Sequence, residues 1–148
     1  VSALYFDTGV LLKLYTVEPE SGRIIAWVRR RGAALPVTEL HTTEMVSALR
    51  LKEFRKECTS SQAMAAIACM EDDLRAGVLR PVTLDWPSAW LRCQTLAQME
   101  AGRCGTRTLD TLHVACAMTL HARVMVTSDQ RQMALAKACG LEVVNPCA

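Results

Sequence analysis

The sequence predicts an α/β fold built on a largely parallel sheet, and two observations carry that prediction. Short apolar runs of strand length alternate with longer helical stretches from one end of the chain to the other. The chain also has 148 residues, 51% of them apolar, which is enough for one domain with its own core. No repeat, linker or polar low-complexity stretch divides it, so the expectation is a single domain over 1–148.

The elements follow in order. Ala3 to Phe6 reads as a short buried strand, and Thr8 then caps a helical turn through Leu11, Leu12 and Tyr15. Pro19 and Ser21-Gly22 break the chain. Ile24, Ile25, Trp27 and Val28 give a helix that ends in Arg29-Arg30-Arg31-Gly32, with cations in its last turn and glycine just beyond. Ala34 to Val37 is the second strand. Helices are expected over Glu39–Phe54 and over Ser61–Ala76, the latter closed by Gly77, with a third strand over Val78–Val82. Pro87 marks a helix start, and that helix runs to about residue 100, with Gly102 and Gly105 flanking a loop. The remainder reads as a helix over Thr108–Leu120, a strand over Val124–Thr127, a helix over Gln130–Ala138 ended by Gly140, and a last strand at Val143-Val144.

Composition excludes several classes. No uninterrupted apolar window reaches the length of a membrane span. The opening Val1-Ser2-Ala3-Leu4-Tyr5-Phe6 lacks a basic region and a long apolar core, so it does not read as a signal peptide, and Val in first place reads as a processed or trimmed start. Seven cysteines with no C-x-x-C pair argue against a zinc site or a disulfide framework. Cys69 and Cys116 sit in apolar helical stretches and read as small core hydrophobes. A reducing, cytoplasmic setting follows.

Four carboxylates draw the chemistry together. Asp7 and Asp129 each follow an apolar strand, and ligands of open α/β sheets bind beyond the carboxyl ends of strands. Each also reads as a helix N-cap when taken alone. Glu44 shares a helix face with Leu40, Ser47, Ala48 and Leu51, which turns it toward the interior. Asp110 opens a helix that is apolar on almost every side, from Leu112 to Leu120. Carboxylates gathered at one end of a sheet stay ionised only with cations between them. Hard oxygen donors with room for water select Mg²⁺ or Mn²⁺. With those four acids set aside, 17 basic residues face 11 of the 15 acidic ones, a surface suited to a polyanion.

The segments Leu4-Tyr5-Phe6-Asp7-Thr8, Glu44-Met45-Val46-Ser47-Ala48-Leu49-Arg50, Leu109-Asp110-Thr111-Leu112-His113-Val114-Ala115 and Val126-Thr127-Ser128-Asp129 resemble the motifs of the PIN domain family, in that family's order. The length and full coverage resemble the VapC toxins, stand-alone PIN ribonucleases of toxin–antitoxin pairs. The resemblance implies a three-layer sandwich of helices around a mostly parallel central sheet. It also implies Mg²⁺-dependent endonuclease activity on RNA through a metal-activated water, a homodimer and an antitoxin partner. Asp7, Glu44, Asp110 and Asp129 would be both catalytic residues and metal ligands. Some family members carry a further acid near the fourth motif, whereas Gln130, Arg131 and Gln132 follow Asp129 here.

Around these acids, Thr8, Thr127, Ser128 and His113 are candidates to orient a carboxylate or touch phosphate. Thr8, Thr127 and Ser128 read equally well as caps, and His113 as a core histidine. Arg103 and Arg107 precede Asp110 in the expected loop and are the candidate RNA contacts. Asp72 and Asp73 read as solvated. The helices bearing Ile24, Trp27 and Val28, and Met45, Leu49 and Phe54, offer apolar positions for an antitoxin groove or dimer face. A response-regulator reading fails because Asp7 has no acidic neighbour, and a haloacid-dehalogenase-like reading fails on Gly9. The remaining alternative is a non-catalytic PIN-fold module that binds a partner or RNA.

Overall fold

The structure is a computed structural model that describes residues 3–148. Val1 and Ser2, with which the opening apolar run begins, lie outside the described residues. Five short strands and seven helices alternate among them: β1 (Leu4–Phe6), α1 (Thr8–Leu12), α2 (Ser21–Arg31), β2 (Leu35–Val37), α3 (Glu39–Phe54), α4 (Ser60–Ala76), β3 (Leu79–Pro81), α5 (Trp86–Cys104), α6 (Thr108–Thr119), β4 (Val124–Val126), α7 (Gln130–Ala138) and β5 (Glu142–Val144). Every strand pair is parallel, as the alternation with helices requires. The chain forms two compact units, one of residues 1–7 with 83–148 and one of residues 8–82.

The first unit is built on a sheet ordered β1-β4-β5. Leu4, Tyr5 and Phe6 lie opposite Val124, Met125 and Val126, and these face Glu142, Val143 and Val144. The middle strand is the most apolar, with Met125 and Val126 fully buried. Residues 111 to 117 of α6 are all buried. That is the expected fate of a helix apolar all round. Asp85 caps α5 by accepting the Ser88 N–H, and a proline lies in the first turn. This helix runs on through Gly102 to Cys104 and stops at Gly105, whose φ of 70° is the left-handed ending that glycine permits. The loop expected around Gly102 is therefore the last turn of a helix, because one glycine costs a helix only about 1 kcal/mol. Arg103 moves with it onto that turn, where its side chain is 76% exposed and pairs with Glu100 at 3.4 Å.

The second unit pairs β2 with β3, Leu35 opposite Leu79 and Val37 opposite Pro81. Pro36 and Pro81 are tolerated because this sheet has only two strands. Thr59 and Gln62 form a reciprocal capping box at the start of α4. The buried stripe of α3 is His41, Met45 and Leu49, one residue out of step with the expected face. Ser47 is exposed and Leu51 is 42% exposed. His41 is anchored by Thr38, whose N–H donates to its Nδ1 at 3.0 Å, and this anchor sets the rotation of the helix. The same finding removes Ile24, Met45 and Leu49 as docking positions, since all three are buried core, whereas Phe54 is exposed. Cys69 is exposed, while Cys116 is buried as expected. Asp73 is not simply solvated: it accepts the Tyr15 hydroxyl at 2.6 Å, and burial, reinforced by that carboxylate, pushes the Tyr15 phenol far above its ordinary value. Asp72 remains exposed and pairs with Arg75. Among the described residues no helix is long and apolar enough to cross a membrane.

Candidate metal centre

In the first unit, Asp7 and Asp129 follow the paired strands β1 and β4, and Asp110 lies in the first turn of α6. The Asp7 N–H continues the ladder by donating to Val126 O at 2.9 Å. Asp129 stands three residues beyond that same carbonyl. Its own N–H is held by Thr127 Oγ1 at 3.1 Å, and its Oδ1 accepts the Gln132 N–H at 2.9 Å. Gln132 reaches across to α6, where Nε2 donates to the main-chain oxygen of Asp110 at 3.3 Å. Asp110 Oδ2 in turn accepts the Arg107 N–H at 3.2 Å, and Arg107 Nε lies 3.6 Å from the same oxygen. A run of hydrogen bonds therefore ties Thr127, Asp129, Gln132, Asp110 and Arg107 into one frame.

A second tie holds β1 to α6. The Tyr5 hydroxyl and His113 Nδ1 are 2.8 Å apart, and both side chains are buried. Tyr5 and Asp7 are two residues apart on a strand, so they share its face, while Asp110 and His113 are three apart on a helix and share its side. The Tyr5–His113 contact makes His113 a core histidine bonded to a core tyrosine.

Glu44 and Thr8 belong to the second unit. Thr8 is buried and its hydroxyl donates to Glu44 Oε1 at 2.9 Å. Glu44 is half-buried beside Met45 at the edge of the buried stripe, and the face it shares with Leu51 is not the one that packs inward.

The remaining candidates divide by exposure. Thr127 is fully buried and braces Asp129, while Ser128 is half-buried. The Arg107 side chain is 84% exposed beside Asp110, so it is free to swing toward an anion. Arg103, paired with Glu100, lies one helix ending away. Burial pushes the Cys93 and Cys139 thiols up from their ordinary value, which favours the neutral thiol at both.

The donor set is all carboxylate oxygen, the chemistry of a hard cation. The caps occupy one oxygen each of Asp110 and Asp129. Among the described residues no three His, Cys, Asp or Glu side chains stand close enough to cage one ion. Mg²⁺ fits such a set, because it keeps several waters and takes one or two carboxylates directly.

Sequence reasoning saw Gln132 only as the absence of a further acid, and Tyr5 only as a strand residue. Asp129-Gln130-Arg131-Gln132 has capping-box spacing, the signal that marks Gln132. The box stays half made because Thr127 already holds the Asp129 N–H, which leaves the Gln132 amide to reach Asp110.

No family model matches the chain. It is 27% identical over 152 residues to Ribonuclease VapC46 of Mycobacterium tuberculosis (strain ATCC 25618 / H37Rv), covering 99% of both proteins. The crystal structure of FitAcB from Neisseria gonorrhoeae matches it with a TM-score of 0.62 at 16% identity, over 97% of both chains. FitAB bound to the IR36 DNA fragment matches with a TM-score of 0.66 at 17% identity, over 98% of this chain and 96% of the other. Along its whole length the chain is thus similar to a VapC ribonuclease, and its fold is the one that the FitAcB and FitAB structures share.

Proposed function

We propose that the protein is a divalent-metal-dependent endoribonuclease and the toxin of a toxin–antitoxin pair. Asp7, Glu44, Asp110 and Asp129 are the carboxylates that hold Mg²⁺ or Mn²⁺ in this reading. The observation that carries it is the hydrogen-bonded frame joining Asp110 and Asp129, with the Asp7 N–H bonded to Val126 where β1 and β4 end. Similarity to a ribonuclease along the whole chain supports it. Glu44 enters through Thr8, the residue after Asp7 in the sequence, whose hydroxyl orients its carboxylate. A bound divalent cation supplies a Lewis acid for a phosphodiester and an activated water. The chain's own contribution is position. Thr127 and Gln132 hold Asp129, Arg107 and Gln132 hold Asp110, and the exposed Arg107 guanidinium offers a bidentate contact to RNA phosphate. Arg103 is a second, outer contact. The partners in this reading are RNA, a second copy of the chain and an antitoxin, which presents a basic side chain to the acids and so competes with the cation.

The test is cleavage of RNA by purified protein with Mg²⁺ or Mn²⁺, and again with excess chelator. Chelator should stop cleavage. Asp7→Asn and Asp110→Asn should each lower it by more than the roughly 10–100-fold that loss of an outer partner costs a metal site. Cleavage that persists in chelator, or in both variants, overturns the reading. Tight RNA binding without any cleavage would favour a binding module instead.

A further inference from the structure

Behind the carboxylates lies a buried amide whose bonding is incomplete. Gln132 is 0% exposed, yet its Oε1 has no hydrogen-bond partner among the described residues. The orientation of the amide is fixed by chemistry. The Asp110 carbonyl can only accept, so Nε2 must face it and Oε1 must point elsewhere. A buried acceptor left unpaired costs about 1–3 kcal/mol. A methionine has a similar volume and would fill the same space without that cost. The glutamine therefore holds its place against packing, and what it gains is the bond to Asp110. Among the described residues Gln132 alone hydrogen-bonds to both Asp129 and Asp110, through its N–H to one and its side chain to the other. The bond joins two helix starts, α6 and α7, each carrying one of the acids.

We propose that Gln132 is a positioning residue. It fixes the spacing of Asp110 and Asp129 and so sets the affinity of the site for a divalent cation. The inference rests on the carboxylate reading above and adds to it a residue that touches neither metal nor RNA.

The experiment is a Mn²⁺ titration by calorimetry on the intact protein, with thermal unfolding in chelator as the measure of fold. Gln132→Met should weaken Mn²⁺ binding by about 10–100-fold while its unfolding midpoint in chelator equals or exceeds the parent's. A merely structural glutamine would do the opposite, lowering the midpoint and leaving Mn²⁺ affinity alone. Gln132→Leu serves as the second variant and should behave as the methionine does. Asp110→Asn and Asp129→Asn make the two failures distinguishable. If these bind weakly and both Gln132 variants bind as tightly as the parent, the positioning role is overturned and the carboxylate site stands. If parent, Asp110→Asn and Asp129→Asn all bind alike, the carboxylate reading falls and this inference falls with it.

Discussion

Asp129 Oδ1 accepts the Gln132 N–H and so caps α7, and that bond alone accounts for an acid at a helix start. Serine caps as well as aspartate does but cannot bind a cation as a carboxylate does. Asp129→Ser should therefore keep the parent's stability within about 0.5 kcal/mol, while Asp129→Ala loses about 1 kcal/mol. Both should lose divalent-dependent cleavage. Urea denaturation beside an RNA cleavage assay checks the pair, and cleavage surviving in Asp129→Ser would leave the residue as a cap only. At this scale the acids were legible because strand ends and helix starts are marked by short sequence signals. The orientation of Glu44 was not. Glu44 keeps the face it shares with Leu51, but the stripe that packs inward is His41, Met45 and Leu49, with His41 anchored by Thr38.

Helix ends obey the same local rules in some places and escape them in others. Gly32, Gly77 and Gly105 end their helices in the left-handed conformation. Gly102 carries the same residue type and stays inside α5. A terminating glycine uses its positive φ, and of Gly102 and Gly105 it is Gly105 that does so. A long-range pair was equally invisible in sequence: Tyr15 and Asp73 are 58 residues apart and meet at 2.6 Å. Burial is the larger reason that the Tyr15 phenol stays protonated, and the bond to Asp73 adds to it. The sign of the effect follows. The folded-state value is raised above the ordinary 10.0, so the stabilisation is complete below that pH and is lost as pH climbs beyond it. Unfolding free energy measured by urea should fall with increasing pH above about 10, and Tyr15→Phe should flatten part of that slope. An unchanged slope in the variant would mean that Tyr15 ionises as freely in the fold as out of it.

At the scale of the molecule, ligand binding and stability are one quantity. A cation that binds the folded chain and not the unfolded one stabilises it by about 2.7 kcal/mol at a hundred times its dissociation constant. Added Mn²⁺ should therefore raise the thermal midpoint, chelator should reverse the rise, and Asp7→Asn should remove most of it. A midpoint indifferent to Mn²⁺ in the parent protein would count against a carboxylate metal site. The parallel, alternating architecture was legible because strand and helix periods differ. The split of the strands into β1-β4-β5 and β2-β3 was not, since hydrogen-bond partners are chosen across the whole chain. That strand order also bears on synthesis. Residues 8–82 form a compact unit without interruption, so they can close soon after they leave the ribosome. β1 pairs with β4, Leu4 opposite Val124, and for that pairing must wait for 120 further residues to be added. At about 5–20 residues per second the wait is about 6–24 s. A chain cut short before β4 therefore holds Leu4 to Phe6 without the strand partners Val124 to Val126.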